Sequence, residues 1–373
     1  MQQETGPLSD EAPKPRNPNP RNPNPRKLSP ASLGWLITTA LFGLLALLSL
    51  FAGPDTEGTS ARGLPAFDLQ GHRGARGLAP ENSLPAFEKA LAVGVTTLEM
   101  DGVMTADGTV VVYHDLRLHP ERTRRSDGRW LSEEEPRPAL FALESVALAG
   151  FDIGRLKPES ETAQRFPEQQ GADAVRIPTL AAVFARAEAL SAGTIRYNIE
   201  TKISPEKPEL SPTPKRFAEV LVAAIRDAGV VGRTSVQSFD WRTLQAVQAL
   251  EPTIPTVYLT AEQRWLDNLQ RGRDGTSPWT AGLDVDIYDG SVPRLIQAAG
   301  GVVWSPYYRD LRPAELLEAR RLGLRVVVWT VNEPSDMASL IDLGVDGIIT
   351  DYPDRLRSVM EDKGMALPPA FGG

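Results

Sequence analysis

The chain has 373 residues, of which 41% are hydrophobic and 24% are charged, an ordinary composition for a globular protein with a buried core. Its formal net charge of -8 at pH 7 disfavours a nucleic-acid partner, which would require a basic surface. The absence of cysteine excludes disulfides, thiolate metal ligands and a cysteine nucleophile.

Two different segments precede the main domain. Residues 1–30 are rich in Pro, Asn and Arg, which predicts a disordered tail. Residues 31–53 hold an uncharged apolar run of roughly 20 residues, the length of a bilayer-spanning helix, and we interpret them as a transmembrane signal anchor. Basic residues precede this run and acidic ones follow it, which predicts a single-pass protein with a cytoplasmic N-terminus and an extracytoplasmic globular domain, periplasmic or at the cell surface. The alternative is a cleaved signal peptide and a secreted protein.

A linker at 54–65 leads to the main domain, predicted at 66–360, and a C-terminal tail follows at 361–373. Short apolar runs alternate there with amphipathic stretches, the pattern of βα units around a parallel sheet. We therefore predict an α/β fold, a TIM-type (β/α)8 barrel. The charged and Pro-rich stretch 119–176 is interpreted as a long inserted loop at the barrel entrance, and the apolar piece 281–290 as a loop. The eight predicted strands lie at 66–72, 95–101, 194–200, 233–239, 253–259, 301–305, 324–330 and 345–350.

Polar side chains follow the first predicted strand, where the carboxyl ends of barrel strands converge. His72 and Arg73 come directly after the apolar run. Glu81 and Asn82, which we expect to line a pocket, precede a helix that Ser83 is suited to cap. Histidine is a frequent acid or base, but a single histidine at a strand end is also an ordinary surface or core residue. The alternative interpretation of Asn82 is a helix cap without a role in the site.

The next strand ends carry carboxylates. Glu99 and Asp101 point to the same side of a strand, a costly arrangement unless a cation neutralises them. The following apolar run ends in His114. Further on, Glu200 and Lys202 also share one side of a strand, and Glu200 would complete a three-carboxylate oxygen site suited to Ca²⁺ or Mg²⁺. The alternative for Glu200 and Lys202 is a surface ion pair without a function.

Residues at three later strand ends are secondary candidates for the site. Gln237, Phe239 and Trp329 are possible pocket residues that would pack against a substrate. For the two aromatic residues, packing in the core is an equally good interpretation. Asp351 follows the last predicted strand, and we expect a turn or rim residue there.

The segment HRGARGLAPENSLPAFEKALAVGVTTLEMDGVMTADGTVVVYHD resembles the N-terminal signature of the glycerophosphodiester phosphodiesterase family, and RIPTL, NIETK, QSFD, VVVWTVN and GIITDYPD resemble its later blocks in order. The resemblance covers about 69–354. It implies a TIM barrel that hydrolyses glycerophosphodiesters to glycerol 3-phosphate and an alcohol with a divalent metal ion, Ca²⁺ or Mg²⁺. It further implies His72 and His114 as the acid-base pair, Glu99, Asp101 and Glu200 as metal ligands, and Arg73 and Lys202 as phosphate contacts.

The sequence departs from the family pattern in two modest ways, the long insertion and Ser83 in place of the more frequent Thr. Neither departure touches the expected chemistry, but the insertion leaves the choice of substrate open. The predicted anchor would hold the site close to a bilayer, so a lysophospholipase D or another lipid-headgroup phosphodiesterase is the alternative enzyme. A barrel that binds phosphodiesters without hydrolysing them is a third, weaker interpretation.

Overall fold

A computed structural model describes residues 64–372 with the exception of 133 and 135. Within this part of the chain, eight parallel strands form a closed barrel. The barrel strands are β1 (Asp68–Gly71), β2 (Thr97–Met104), β6 (Arg196–Thr201), β7 (Thr234–Ser238), β8 (Thr256–Thr260), β9 (Val303–Pro306), β10 (Arg325–Val328) and β11 (Gly347–Thr350). Three short strands lie outside the barrel: β3 (Val110–Val112), β4 (Arg124–Arg125) and β5 (Phe151–Asp152).

The first strand closes the barrel. It pairs in parallel with β11 on one side and with β2 on the other, and the remaining strands follow in the order β10, β9, β8, β7 and β6 back to β2. In the longest pairing, between β2 and β6, Asp101 lies opposite Glu200. This register sets two of the predicted metal ligands side by side.

Helices between the strands form the outer layer, and their caps are encoded locally. Ser83, Thr179 and Thr213 each accept a backbone N–H in the first turn of the helix that follows, satisfying one of its free donors. The helices are α1 (Leu84–Val93), α2 (Glu161–Arg165), α3 (Leu180–Ser191), α4 (Pro214–Asp227), α5 (Trp241–Leu250), α6 (Val292–Ala298), α7 (Pro313–Arg321), α8 (Pro334–Leu343) and α9 (Pro353–Asp362).

The main core lies between the strands and the helices. Strand residues such as Leu98, Met100 and Ile199 alternate with the inward-facing polar residues and pack outward against the helices. A smaller apolar cluster comprises Val257, Val303, Val327 and Ile349, from β8 to β11. On the other strands, polar residues face the interior of the barrel.

The insertion, residues 119–176, is folded rather than a simple loop. It contains β4, β5, α2 and two 3-10 turns, Leu140–Ala142 and Ser145–Gly150. Its apolar residues pack against β2, β3 and the adjoining chain in a second core. The insertion contributes Leu131, Leu140, Leu148, Phe151, Ile153 and Val175, and the rest of the chain contributes Val103, Val111, Tyr113, Leu118 and Ile177. The insertion is therefore fixed to the barrel beside the strand end that carries His114.

The predicted TIM-type barrel is confirmed, and each of the eight predicted strands overlaps a barrel strand. The piece 281–290, interpreted as a loop, contains the 3-10 turn Val285–Tyr288 and no strand. The amphipathic stretches 83–94, 178–190, 215–229, 241–250, 313–323 and 334–344 predict helices and correspond to α1, α3, α4, α5, α7 and α8, whereas α2, α6 and α9 were not predicted.

The predicted localisation requires correction. Among the described residues, no helix is long and apolar enough to cross a membrane, so a single-pass membrane protein is not supported. The predicted anchor at 31–53, the tail before it and most of the linker lie outside the described residues.

Candidate active site

Three buried carboxylates meet at the carboxyl end of β2 and β6. Glu99 and Asp101 are two residues apart on β2, and Glu200 lies opposite Asp101 on β6. One oxygen of each carboxylate lies within 4.8 Å of the others, close enough to share one ion. The side chains of all three are buried. Alternate residues of a strand point to the same side, so Glu99 and Asp101 both face the interior of the barrel.

Burial and mutual repulsion perturb the pKa values of this triad. Burial, Asp101 and Glu200 raise the pKa of Glu99 well above its usual range. Burial also raises the pKa of Glu200 to about 7, although the ammonium group of Lys202 opposes this change. The pKa of Asp101 is lowered, because His114, Arg73 and Lys202 outweigh the cost of its burial. Such a site gains from a bound cation, which would neutralise the carboxylates without protons.

The loop after β1 holds two of these carboxylates. The backbone N–H of Arg73 donates to Glu99 Oε2 at 2.7 Å, and Arg73 Nε lies 3.2 Å from Asp101 Oδ2. Asn82 Nδ2 donates to the same Asp101 oxygen at 2.7 Å. Arg73 and Asn82 have positive φ angles of 52° and 55°, an uncommon backbone conformation for such side chains that often marks a functional loop.

Gly74 allows this loop to lie directly on α1. Its φ is 87°, and a Cβ atom there would lie 2.6 Å from the backbone of Ala86. A larger residue would therefore push the loop away from the helix. Glycine at this position keeps His72 and Arg73 at the mouth of the barrel.

His72 is held by a carboxylate from the opposite end of the chain. His72 Nδ1 lies 2.6 Å from Asp351 Oδ1, and Asn332 Nδ2 donates to Asp351 Oδ2 at 2.8 Å. The pKa of Asp351 is lowered by Arg76, His72 and Asn332 despite its burial, so an ionised Asp351 accepts the proton of Nδ1. Burial lowers the pKa of His72. The expected position of Asp351 at a turn or rim was wrong, since its side chain is buried.

His114 follows β3 and has a comparable partner next to it in sequence. Its Nδ1 lies 2.8 Å from Asp115 Oδ1, and the second oxygen of Asp115 contacts Arg122 from the insertion. Burial, together with Arg73 and Lys202, lowers the pKa of His114 to about 3. Both histidines therefore bond a carboxylate through Nδ1, which leaves Nε2 as an acceptor when the ring is neutral.

The other predicted polar residues join the same cluster. Lys202 Nζ lies 2.8 Å from Glu200 Oε1 and 3.7 Å from Asp101 Oδ1. Glu81 accepts hydrogen bonds from Arg73 at 2.9 Å and from Arg122. The predicted pocket residues Glu81 and Asn82 thus bond neighbouring charged side chains, and neither is among the residues that line the cavity.

Gln237 joins the triad to a buried polar chain inside the barrel. Gln237 Nε2 donates to Glu99 Oε1 at 2.7 Å, and its own Oε1 accepts from Asn198 Nδ2 at 2.8 Å. Asn198 Nδ2 also reaches Gln70 Oε1 at 2.9 Å, and Gln70 donates to Asp68. This chain fixes which way the amide of Gln237 points, because its oxygen is already engaged.

Aromatic residues line the cavity on the side away from the triad. Trp329 packs edge-on against Phe239 with ring centroids 5.3 Å apart, and Tyr307 lies 5.5 Å from Trp329. Trp265 lies 5.7 Å from Tyr307 and is 59% exposed. Tyr308 extends the group. Phe239 and Trp329 are half-buried, and both line the cavity.

One cavity of about 1300 Å³ contains most of these groups. It is lined by both histidines, Arg73, Glu99, Glu200, Lys202, Gln237 and the aromatic residues. Trp265, Tyr307 and Arg122 were not found from the sequence, because they lie in loops whose length and path no periodicity reveals. The TDYP motif after β11 was the signal for Asp351, since it too follows a strand end.

The parallel barrel and the polar cavity at the carboxyl ends of its strands define an enzyme of the (β/α)8-barrel class. The model of the Glycerophosphoryl diester phosphodiesterase family matches residues 72–355. The chain belongs to this family, which confirms the predicted resemblance, and it is a glycerophosphodiester phosphodiesterase, a phosphoric diester hydrolase.

Similar proteins cover most of the chain. A glycerophosphodiester phosphodiesterase of Bacillus subtilis is 29% identical over 331 residues, 86% of this chain and 96% of that protein. A crystal structure of a glycerophosphoryl diester phosphodiesterase family protein from Silicibacter pomeroyi matches with a TM-score of 0.71 and 33% identity, covering 82% of this chain and 97% of that one.

Two further similar proteins are described by their activity or by a bound product. A human lysophospholipase D is 24% identical, covering 78% of this chain and 85% of that protein. An Oleispira antarctica phosphodiesterase, solved in complex with the product sn-glycerol-3-phosphate, matches with a TM-score of 0.55 and 20% identity, covering 78% and 96%. That likeness shows the fold alone.

Proposed function

We propose that the enzyme hydrolyses glycerophosphodiesters to glycerol 3-phosphate and an alcohol, with His72 and His114 as general acid and base. Glu99, Asp101 and Glu200 hold the divalent metal ion, and Arg73 and Lys202 contact the phosphate. The observation that carries this proposal is the buried carboxylate triad in one cavity with both histidines.

The residues of the triad fit a hard divalent cation. Their ligand atoms are carboxylate oxygens, which Ca²⁺ and Mg²⁺ prefer. Arg73 and Lys202 supply two positive charges against three carboxylates, so protons or an ion must balance the remainder. Bound there, a divalent ion supplies neutralisation of the charge on a phosphate oxygen.

The two histidines divide the proton transfers. When water attacks phosphorus, one histidine takes its proton and the other protonates the alcohol oxygen as its bond to phosphorus breaks, which gives glycerol 3-phosphate directly. When the neighbouring glycerol hydroxyl attacks instead, the same proton transfers release the alcohol and form a cyclic glycerol phosphate, which water then opens to glycerol 3-phosphate with the two histidines in reversed roles. Each histidine is oriented by a carboxylate at Nδ1, Asp351 for His72 and Asp115 for His114. Nε2 of each ring then exchanges the proton with substrate. Arg73 and Lys202 bind the phosphate oxygens, which carry the negative charge throughout.

The orientation of the substrate follows from the two sides of the cavity. The glycerol 3-phosphate part lies against the charged side, where Arg73, Lys202 and the histidines converge. The alcohol part points to Phe239, Trp265 and Trp329. The activity named for the Bacillus subtilis relative supports this assignment of the common part.

The size of the cavity favours a second candidate, a lysophospholipase D. A cavity of about 1300 Å³ exceeds the roughly 300–1,000 Å³ of common ligand pockets, so it can accept an alcohol larger than a small headgroup. Trp265 is 59% exposed at its mouth and offers an apolar contact. The similarity to a human lysophospholipase D is consistent with this alternative.

The test of the mechanism uses the purified full chain with glycerophosphocholine and Ca²⁺ or Mg²⁺. We expect His72→Ala and His114→Ala to lower kcat about 10²- to 10⁴-fold, and a chelator to abolish turnover reversibly. His119→Ala is the matched control, because His119 also lines the cavity but follows no barrel strand, and its Nδ1 accepts a backbone N–H, from Glu121, instead of bonding a carboxylate. Full activity with chelator, or in either of the first two variants, contradicts the mechanism.

The test of the substrate compares kcat/KM for glycerophosphocholine and for lysophosphatidylcholine below its micelle-forming concentration. We expect the water-soluble diester to be the better substrate. A larger kcat/KM for the lysolipid would instead establish the second candidate.

A further inference from the structure

The insertion contributes one buried arginine to the site, Arg122, for which the proposed mechanism has no role. It lies between His119 and β4, and its side chain is 11% exposed. Arg122 lines the cavity beside His114. A buried guanidinium is costly unless carboxylates pair with it, so its partners indicate its purpose.

The guanidinium of Arg122 joins two carboxylates that belong to different parts of the site. Its Nη2 contacts Asp115 Oδ2, and Asp115 Oδ1 bonds His114 Nδ1 at 2.8 Å. Its Nη1 contacts Glu81 Oε1, and the same oxygen accepts from Arg73 Nη1 at 2.9 Å. One side chain is therefore linked to the general acid-base residue His114 and to the phosphate contact Arg73.

The two links differ in how much they depend on Arg122. Glu81 is also held by Arg73 and by Arg76, whose Nε lies 2.9 Å from Glu81 Oε2. The side chain of Asp115 is 30% exposed, and Arg122 holds the oxygen that does not contact His114. Loss of Arg122 would thus free Asp115 far more than Glu81.

We propose that Arg122 is a positioning residue, which locks Asp115 against His114 and ties this pair through Glu81 to Arg73. The inference rests on the proposed role of His114. Its consequence is that the insertion fixes the distance between the group that moves a proton and the group that holds the phosphate. A rigid second contact of this kind keeps reacting groups within the narrow tolerance that catalysis requires.

The planar fork of arginine suits this task better than lysine does. Two N–H groups of one guanidinium can bond two carboxylates in a fixed relative direction, whereas an ammonium group on a flexible stem cannot. Arg122→Lys keeps the charge but loses the double contact. It therefore separates geometry from charge.

The experiment compares the full chain with Arg122→Met, Arg122→Lys, Asp115→Asn and the double variant Arg122→Met/Asp115→Asn. We expect Arg122→Met to lower kcat about 10- to 100-fold, as loss of a supporting residue commonly does, with KM changed less than kcat. Arg122→Lys restores only part of this loss. The double variant resembles Arg122→Met within about threefold, because both changes break the same link.

Arg124→Met is the matched control. Arg124 is also ion-paired, with Asp152 and Asp173, but these contacts lie within the insertion and away from the cavity. We expect its kcat to match that of the unmodified enzyme. Thermal unfolding of each variant detects loss of structure. Because kcat is measured well below every Tm, a lower kcat then reports loss of positioning.

Three outcomes would overturn the inference. The first is an unchanged kcat in Arg122→Met, and the second is an equal loss of kcat in Arg124→Met. The third is a loss of kcat in the double variant that equals the product of the losses in the two single variants. If Arg122→Met does not fold, Arg122→Lys with Asp115→Asn provides the same cycle. His114→Ala in the same series distinguishes the two failures. Full activity there rejects the proposed function, whereas loss there with an active Arg122→Met rejects only the positioning role.

Discussion

The mouth of the barrel is divided into two contiguous halves of four strands each. The charged half follows β11, β1, β2 and β6, whose ends carry Asp351, the loop of His72 and Arg73, and the carboxylate triad. The aromatic half follows β7 to β10, whose ends or following loops carry the aromatic side chains Phe239, Trp265, Tyr307, Tyr308 and Trp329.

The two halves are held by different forces. Groups in the charged half are buried and joined by directional hydrogen bonds, so their positions are closely defined. Groups in the aromatic half pack edge-to-face, with centroids 5.2–6.0 Å apart, and Trp265 is mostly exposed. Under the proposed function, the chemistry would take place in the fixed half and the alcohol would bind in the half that tolerates adjustment.

The division continues into the interior of the barrel. Below the triad, the polar chain of Gln237, Asn198, Gln70 and Asp68 spans β7, β6 and β1. In the aromatic half, β8, β9 and β10 instead contribute Val257, Val303 and Val327 to an apolar cluster, which Ile349 of β11 also joins. Gln237 is the point where the halves meet, because it lies on β7 but bonds Glu99.

The largest expected effect comes from Asp351→Asn in the charged half. An amide can donate to Nδ1 of His72 and so place the ring proton on Nε2, where an acceptor is needed. We expect kcat to fall at least about 10²-fold, with KM changed only a few-fold. Steady-state kinetics on glycerophosphocholine measures both. Asp354→Asn serves as the control. A kcat loss of less than threefold in Asp351→Asn would contradict the contact between Asp351 and His72.

Gln237→Leu tests the boundary between the halves. It removes the hydrogen bond to Glu99 while leaving the carboxylates in place, so we expect metal affinity about 10- to 100-fold weaker. Activity titrated against metal concentration gives the apparent affinity. Gln248→Leu is the matched control, since Gln248 bonds Thr256 and Tyr258 outside the cavity. Equal affinities in both variants would show that Gln237 does not support the metal site.

Trp265→Ala probes the aromatic half. Loss of one ring contact is worth about 0.5–1.5 kcal/mol, so KM for a diester with a large alcohol should rise about 2- to 10-fold. We expect kcat to stay the same, and a diester of a small alcohol such as ethanolamine to be affected less. A fall in kcat for both substrates would mean that the two halves are not separable.

The last expected effect concerns stability against pH in metal-free protein rather than activity. Burial lowers the pKa of His114 to about 3, below its usual value of 6.5, so the unfolded chain takes up this proton first as the pH falls. This residue therefore costs stability progressively from about pH 6.5 down to about 3. We expect His114→Gln to show a shallower decline of unfolding free energy over that window. Trp265→Ala should keep the slope of the unmodified protein, and an unchanged slope in His114→Gln argues against a buried neutral ring.

The sequence predicted the charged half better than the aromatic half. Glu99, Asp101 and Glu200 obey the two-residue period of strands, and His72 and His114 each end an apolar run, so local pattern was enough to bring them together. Trp265 and Tyr307 belong to loops after β8 and β9, where no period constrains the path. Their convergence depends on how neighbouring strands are ordered around the barrel.

Long-range partners were the other omission. Asp351 was expected at a rim because the local TDYP pattern looks like a turn, and only closure of the barrel brings it to His72. Arg122 was hidden in a charged stretch that is typical of a solvated loop. The second core under the insertion, which directs Arg122 inward, consists of scattered apolar residues without helical or strand spacing.

The bond between His72 and Asp351 joins residues 279 positions apart, so it forms only when the last strand docks on the first. A chain emerging from the ribosome has all three carboxylates of the triad by residue 200, but it gains this partner of His72 only near the end. Contacts of such large sequence separation form late in folding, after much of the loop entropy has been lost. Under the proposed mechanism, catalytic competence therefore depends on closure of the barrel by its last strand.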